Sequence, residues 1–396
     1  MASTIIDFHA HLGGHKPVPF RAPFYLPEGY QPPYWIRDQA LFHSLSNEGG
    51  PMLAVMFKIG LYLSWLGLDV VNNKGDIYKE LKGSKKINKL VVLATSPVVT
   101  DGKMDLTKTP MYISNDAVME MARNSEKIIP GISINPLADN AEAELDRLIS
   151  ASRSLPNGGK AVFKLFPSVC FFHADGKDEQ GNELPYRKKL LDFYAQLAAL
   201  GIPVIVHTGV EEVMKDDTYA YFMDHGGDVA NLTPLIETGA TIILAHSGYD
   251  PSYQSAHKNK PNQFVEVKAA IRKYPNVYSD ISGAFSTGYN FVGTIADLLE
   301  DDDCRAKMVH GSDFPVVLGN PEEILGILQK EDQSNIYVQK AMTAYTEIVK
   351  DKGLKKLTFL DKCARMTEIT MQSLGVDDRG IDAYFTNGAR LLGYAD

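Results

Sequence analysis

Two histidines, His9 and His11, end the apolar run IIDFHAH near the start of the chain. Residues i and i+2 of a β-strand project from the same face, so both imidazoles would point one way, with Asp7 below them. Such a pair is typical of a metal site and also of hydrogen-bonded structural histidines. Which interpretation applies depends on whether other ligand-type residues converge on the same place.

Ionisable residues also follow four other apolar runs, each at the carboxyl end of its run. Burying such groups without partners would cost several kcal/mol. A divalent cation with nitrogen and oxygen ligands would remove that cost for all of them at once. If the ends of the runs meet, the predicted metal site comprises His9, His11, Lys164, His207, His246 and Asp313.

Eight short β-branched runs carry these residues and alternate with helix-like stretches. After the first, the runs begin roughly 30–40 residues apart, close to the spacing of about 31 residues in a (β/α)8 barrel. No Gly-rich phosphate turn follows the first run, which disfavours an open doubly wound sheet. The sequence therefore predicts an α/β fold, a (β/α)8 TIM barrel, whose strand ends form one mouth with the candidate ligands around it.

Two segments are additional to the eight βα units of a plain barrel. Residues 14–88 separate the first two runs, where a βα unit needs far fewer residues. This segment is rich in proline and aromatic residues and continues into an apolar stretch from Met52, so we predict an inserted cap over the mouth. The tail after Pro315 reads as helices that close the barrel. We expect residues 1–396 to form a single domain that includes the cap.

The composition narrows the partners. A net charge of −9 and a pI near 5.6 disfavour nucleic acid and anionic membrane surfaces. Three cysteines without short spacing favour neither a disulfide framework nor a cysteine zinc site. The first residues lack the features of a signal peptide, and no run reaches the ~20 uninterrupted apolar residues of a membrane span. We therefore expect a cytoplasmic protein with a small-molecule substrate. The all-round apolar stretch from Met52 suggests a homo-oligomer.

The aromatic cap suggests a small, partly apolar substrate. Arg21 and Arg37 in the cap are candidates to pair with a substrate carboxylate, although solvated arginines are the plainer interpretation. Asp280 fits two roles equally, a substrate contact or a hydrogen-bonding role in the barrel floor. Strict alternation turns His310 away from Asp313, which favours a structural role for His310.

Seven motifs together resemble the amidohydrolase superfamily, and more narrowly the amidohydrolase-related ("amidohydrolase 2") branch of metal-dependent TIM-barrel hydrolases. The motifs span nearly the whole chain and read DFHAHLG, FKLFP, VIVHTG, LAHSG, YSDISG, HGSDFP and NGARLLGY. The resemblance implies that His9, His11 and Asp313 bind the more buried metal. It implies that His207 and His246 bind a second metal in binuclear members, whereas one of them contacts the substrate in mononuclear members.

The resemblance also leaves the state of Lys164 open. Its match in binuclear members is carboxylated by CO2 and bridges both ions, whereas an unmodified lysine would fix a substrate carboxylate. We expect one or two divalent ions, with Zn2+ favoured and Mn2+ the alternative. Asp313 would accept and pass on a proton, and His246 or the second metal would polarise the substrate carbonyl.

Three functions follow from these residues. The first is a metal-dependent hydrolase of an ester, lactone or amide bond in a small, carboxylated substrate. The second is a mononuclear zinc decarboxylase or hydratase of an unsaturated or aromatic carboxylic acid. The third, a barrel that binds a ligand without catalysis, predicts broken ligand positions, and none is broken in this sequence.

Overall fold

The computed structural model describes residues 4–11, 24–25, 74–106, 108–109, 111–209, 220–249, 263–285, 289–314, 318 and 320–394. Eight strands of these residues follow one another in chain order within one sheet. They are β1 (Ile6–His11), β2 (Lys89–Leu93), β3 (Ile128–Ile132), β4 (Val162–Leu165), β5 (Val204–Gly209), β6 (Ile242–Tyr249), β7 (Val277–Asp280) and β8 (Met308–Val309).

The strand pairing confirms the predicted (β/α)8 barrel. The pairs β3–β4, β4–β5 and β7–β8 are parallel. After β8 the chain returns to β1, where Ala10 forms a parallel bridge with Phe314. The amide of His11 donates to the carbonyl oxygen of Phe314 at 2.7 Å. Pairing of the first strand with the segment after the last is what closes a barrel.

Helices separate the strands, as the predicted βα period requires. The α-helices are α1 (Lys74–Gly83), α2 (Asn115–Arg123), α3 (Ala141–Ser152), α4 (Pro167–Cys170), α5 (Arg187–Leu200), α6 (Ala220–His225), α7 (Thr233–Ile236), α8 (Gln263–Lys273), α9 (Tyr289–Glu300), α10 (Asp302–Arg305), α11 (Pro321–Leu328), α12 (Ile336–Lys350), α13 (Phe359–Ser373) and α14 (Asp378–Leu391). Short 3-10 helices span Val229–Leu232 and Leu354–Lys356. Gly201 ends α5 with a φ of +63°, the left-handed conformation that glycine commonly adopts at helix C-termini.

Two ribbons of two-residue strands accompany the sheet. Phe24–Tyr25 pairs antiparallel with Tyr112–Ile113, and Val99–Thr100 pairs antiparallel with Lys103–Met104. The first of these strands belongs to the predicted cap of residues 14–88. Most of that segment, with Arg21, Arg37 and the apolar stretch from Met52, lies outside the described residues. Within the described ranges, every helix is too short or too polar to span a bilayer.

Two compact units divide the chain. The first unit lies within residues 1–11, 75–91 and 244–396, and the second unit lies within residues 12–74 and 92–243. His9, His11, His246 and Asp313 therefore belong to the first unit, whereas Lys164 and His207 belong to the second. The single-domain organisation of residues 1–396 stays a prediction.

Helix α14 fixes β1 and β8, the strands on either side of the barrel closure. Phe8 of β1 is fully buried, and a Cβ atom added to Gly388 of α14 would lie 2.4 Å from Cε2 of its ring. The close approach therefore requires glycine at this position. The amide group of Asn387 donates to the carbonyl oxygen of Met308 at 2.8 Å. Asn387 and Gly388, the first two residues of the motif NGARLLGY, thus anchor β8 and β1.

Candidate metal centre

Strand β1 presents its two histidines on one face. Ile6, Phe8 and Ala10 alternate with them and have no exposed surface. The side chain of His9 is fully buried and that of His11 is 18% exposed. The two Nε2 atoms lie 3.1 Å apart, so both imidazoles point to one place. Alternation in the sequence predicted this shared face correctly.

Asp313 brings a carboxylate to the same place. Its Oδ1 lies 3.4 Å from His11 Nε2 and 3.8 Å from His9 Nε2. The Asp313 amide donates to the carbonyl oxygen of His9 at 2.8 Å, which joins its backbone to β1. Asp313 has a φ of +61°, a left-handed conformation that costs about 1–3 kcal/mol for a non-glycine residue and clusters at functional sites.

The electrostatics keep Asp313 ionised. Burial would raise the pKa of its carboxyl, but a hydrogen bond with His11 and the nearby His246 hold that pKa well below its usual range. The ligand atoms of His9, His11 and Asp313 all lie within 4.8 Å of one another. Two imidazole nitrogens and one carboxylate oxygen form a donor set that suits zinc and leaves coordination positions open. The residues therefore fit a divalent cation.

His246 lies beside this group, with its ring centroid 4.7 Å from that of His9. Its φ is +60°, and Ser247 and Gly248 follow with φ values of +49° and +70°, so β6 contains three consecutive left-handed residues. His246 Nδ1 lies 2.9 Å from Ser282 Oγ and 3.1 Å from the Ser282 carbonyl oxygen. The role of His246 as a ligand or a substrate contact stays a prediction.

Asp280, at the end of β7, lies behind His9. Its Oδ2 accepts a hydrogen bond from His9 Nδ1 at 2.9 Å, and its Oδ1 accepts from the amide of His246 at 2.8 Å. Burial would raise the pKa of Asp280, but His9 holds it well below its usual range. A carboxylate that binds Nδ1–H leaves the Nε2 lone pair for a metal. This placement fits the hydrogen-bonding alternative for Asp280. The substrate contact stays a prediction.

Lys164 and His207 lie on adjacent strands of the second unit. Lys164 is fully buried and its carbonyl oxygen accepts from Ser133 Oγ at 2.9 Å. His207 stacks on the ring of Phe166, with centroids 4.4 Å apart at an interplanar angle of 24°. Lys164 Nζ lies 5.1 Å from the centroid of the same ring. Phe166 therefore contacts both side chains. Their predicted roles as metal ligands stay predictions.

Two buried groups lie close to the metal ligands along the chain. Burial raises the pKa of Asp7 to about 7, and its Oδ1 accepts from the amides of His9 and Ser312. Burial lowers the pKa of His310 to about 3, so it stays neutral, with Nδ1 3.5 Å from the hydroxyl of Tyr384. A neutral, enclosed imidazole agrees with the structural role predicted for His310.

Sequence reasoning missed Ser282. This fully buried serine contacts His9, His246 and Asp280 through one hydroxyl oxygen. It stands two residues after Asp280 in the motif SDISG, but it lies in the turn after β7, where strand alternation predicts no direction. The i, i+2 spacing from a strand-end aspartate was the available signal.

Comparison with known proteins gives a family. The model of the Amidohydrolase family matches residues 101–335, more than half of the chain. The matched span contains His246 and Asp313 but not β1. No curated protein matches the chain.

Three solved structures are among those similar to this chain. A 2,6-dihydroxybenzoate decarboxylase complexed with 2,6-dihydroxybenzoate is 13% identical, covers 100% of this chain and 99% of its own, and has a TM-score of 0.46. An amidohydrolase from Burkholderia multivorans with bound zinc is 11% identical, covers 92% and 99%, and has a TM-score of 0.44. An uncharacterized TIM-barrel protein from Bordetella bronchiseptica is 14% identical, covers 93% and 99%, and has a TM-score of 0.43.

Proposed function

The chain belongs to the Amidohydrolase family of metal-dependent hydrolases, and on that premise we propose that it hydrolyses an ester, lactone or amide bond of a small, carboxylated substrate. One observation carries the proposal. Ligand atoms of His9, His11 and Asp313 converge within 4.8 Å of one another, although the residues are separated by some 300 positions in sequence. Bringing such groups together is the prerequisite for metal-assisted hydrolysis.

We propose Zn2+ as the ion, with Mn2+ as the alternative, because the donors are imidazole and carboxylate. When bound, such an ion lowers the pKa of a water molecule from about 15.7 toward 7 and polarises a substrate carbonyl. His9, His11 and Asp313 would hold it. A second ion would need further ligands, for which His207, His246 and a carboxylated Lys164 are our candidates.

Residues of the chain can accept and transfer the proton of the attacking water. The Asp313 carboxylate is ionised and would accept the proton of the attacking water and pass it to the leaving group. The bond from the Asp313 amide to the carbonyl oxygen of His9 at 2.8 Å holds the backbone of Asp313 against β1. Asp280 keeps His9 in one orientation through the bond to Nδ1. His246 contacts the substrate or supplies a further ligand.

Lys164 favours a second candidate function. It is fully buried in β4, and an unmodified lysine at this position would be a buried cation that fixes a substrate carboxylate. In that case one zinc ion would serve a decarboxylase or hydratase of an unsaturated or aromatic carboxylic acid. The carboxylation state of Lys164 and the number of metal ions distinguish the two candidates.

We further propose a cytoplasmic location, a small-molecule substrate, and neither nucleic acid nor a membrane surface as a partner. The net charge of −9 supports the exclusion of polyanions. Arg21 and Arg37 remain our candidates for the substrate carboxylate, together with Asp280. A homo-oligomer through the apolar stretch from Met52 also remains a proposal, and light scattering of the purified chain tests it.

The deciding experiment is elemental analysis of protein purified without chelator and with 13C-labelled bicarbonate. Two ions per chain and a 13C NMR signal of a lysine carbamate support the hydrolase, to be confirmed with esters, lactones and amides. One ion without a carbamate supports the decarboxylase or hydratase. His9→Asn should lose the metal, whereas the control His225→Asn, a histidine that pairs with Asp228 at 2.9 Å, should retain it. No bound metal after addition of zinc or manganese would refute both candidates.

A further inference from the structure

Ser282 joins His9 and His246 through one atom. Its Oγ lies 2.9 Å from His246 Nδ1, 3.0 Å from His9 Nδ1 and 2.5 Å from Asp280 Oδ1. We propose that Ser282 is a positioning residue that fixes His246 as the tautomer with hydrogen on Nδ1. The tautomer is inferred from hydrogen bonds alone, and only its effect on catalysis rests on the proposed function.

The tautomer follows from counting protons. The carboxylate of Asp280 can only accept, so the single hydroxyl hydrogen of Ser282 points to Oδ1 of Asp280. The lone pairs of Ser282 Oγ then remain to accept hydrogen bonds. His246 Nδ1 must donate at 2.9 Å, because two facing lone pairs would repel.

A second acceptor makes the same demand. The carbonyl oxygen of Ser282 lies 3.1 Å from His246 Nδ1, and a carbonyl oxygen can only accept. The hydroxyl oxygen and the carbonyl oxygen therefore both favour Nδ1–H, and the hydroxyl lies at the shorter distance. The amide of His246 also donates to Asp280 Oδ1 at 2.8 Å, which fixes the backbone in its left-handed conformation and holds the ring in place.

The tautomer decides what Nε2 of His246 can do. With hydrogen on Nδ1, neutral His246 presents the lone pair of Nε2, which can bind a cation or accept a proton. It has no hydrogen there to donate to a substrate carbonyl. Ser282 therefore changes the carbonyl-polarising role that we predicted for His246 into that of a ligand or proton acceptor.

The test is nitrogen-15 NMR of metal-free protein labelled at histidine. Two-bond couplings to the ring hydrogens distinguish the tautomers, and the peaks that disappear in His246→Gln identify His246. At about pH 8 we expect the Nδ1–H pattern in the wild type, because both oxygens that face Nδ1 accept. Ser282→Ala removes the hydroxyl at 2.9 Å but keeps the carbonyl oxygen at 3.1 Å from Nδ1. We therefore expect the Nδ1–H pattern to weaken to a mixture of tautomers, with about tenfold or greater loss of zinc affinity in competition with a chromogenic chelator.

Two variants separate positioning from folding. Ser279→Ala removes another fully buried hydroxyl, which donates to the carbonyl oxygen of Leu244, and it should leave the His246 pattern unchanged. Ser282→Thr retains the hydroxyl and should restore the Nδ1–H pattern. An Nε2–H or doubly protonated pattern in the wild type, or no change in Ser282→Ala, would overturn the proposal. Because no metal or substrate is present in the NMR samples, this result is independent of whether the chain is a hydrolase.

Discussion

Gly388→Ala should destabilise the protein by moving β1, the strand that carries His9 and His11. The added methyl group would lie 2.4 Å from Cε2 and 2.9 Å from Cδ2 of the Phe8 ring, far inside van der Waals contact. Phe8 has no exposed surface and cannot swing away. Overpacking of this kind costs about 1–3 kcal/mol, while replacing a helical glycine by alanine stabilises by about 1 kcal/mol. We therefore expect a net loss of up to about 2 kcal/mol.

A second helical glycine serves as a matched control for the stability gained when glycine is replaced by alanine in a helix. Gly326 lies in α11, and a Cβ atom added there meets no atom within 4 Å. Gly326→Ala should therefore stabilise by about 0.5–1 kcal/mol. The difference between the two variants isolates the clash, and we expect about 1–3 kcal/mol.

Urea unfolding followed by circular dichroism measures this difference. EDTA should be present throughout, since a bound metal would add its own stabilisation. Phe8→Leu makes room for the methyl group, so the double variant should recover part of the loss, with a coupling energy of about 1 kcal/mol or more. Equal free energies of unfolding for Gly388→Ala and Gly326→Ala would refute the argument that Gly388 is required by its contact with β1.

Three further predictions concern buried ionisable groups. Asp280→Asn should weaken zinc binding about 10–100-fold, because an amide nitrogen facing His9 Nδ1 favours the wrong tautomer; unchanged affinity in a chelator competition would contradict this. Burial by itself would raise the pKa of Asp361, but hydrogen bonds to its carboxylate hold that pKa below its usual value. The largest of these contributions comes from the amide of Lys85. The stability that Asp361 adds over Asp361→Asn should therefore be complete above about pH 4 and be lost as the pH falls through the lower folded pKa; an advantage that grows on acidification would be the wrong sign. Burial raises the pKa of Cys170 to about 12, so iodoacetamide should label it only after unfolding, which mass spectrometry of native and denatured protein would decide.

The predictable part of the site was the part set by strand period. Alternation along IIDFHAH placed His9 and His11 on one face, and the recurrence of eight short runs predicted the barrel. Both depend on neighbours in sequence, because the direction of a side chain in a strand repeats every two residues. Asp313 was predicted from its position after the eighth run, and it does lie beside His11.

What alternation could not predict lies in the turn after β7, in the segment after β8 and in the left-handed part of β6. Ser282 and the left-handed residues His246 and Asp313 depend on hydrogen bonds between segments distant in sequence, such as the bond from His9 to Asp280. The sequence by itself determined the order of the strands and the types of the candidate ligands, since both are local properties of short runs. Only the tertiary structure decided which ring nitrogen each imidazole presents, because that choice belongs to acceptors more than 30 residues away from His246 and more than 270 away from His9.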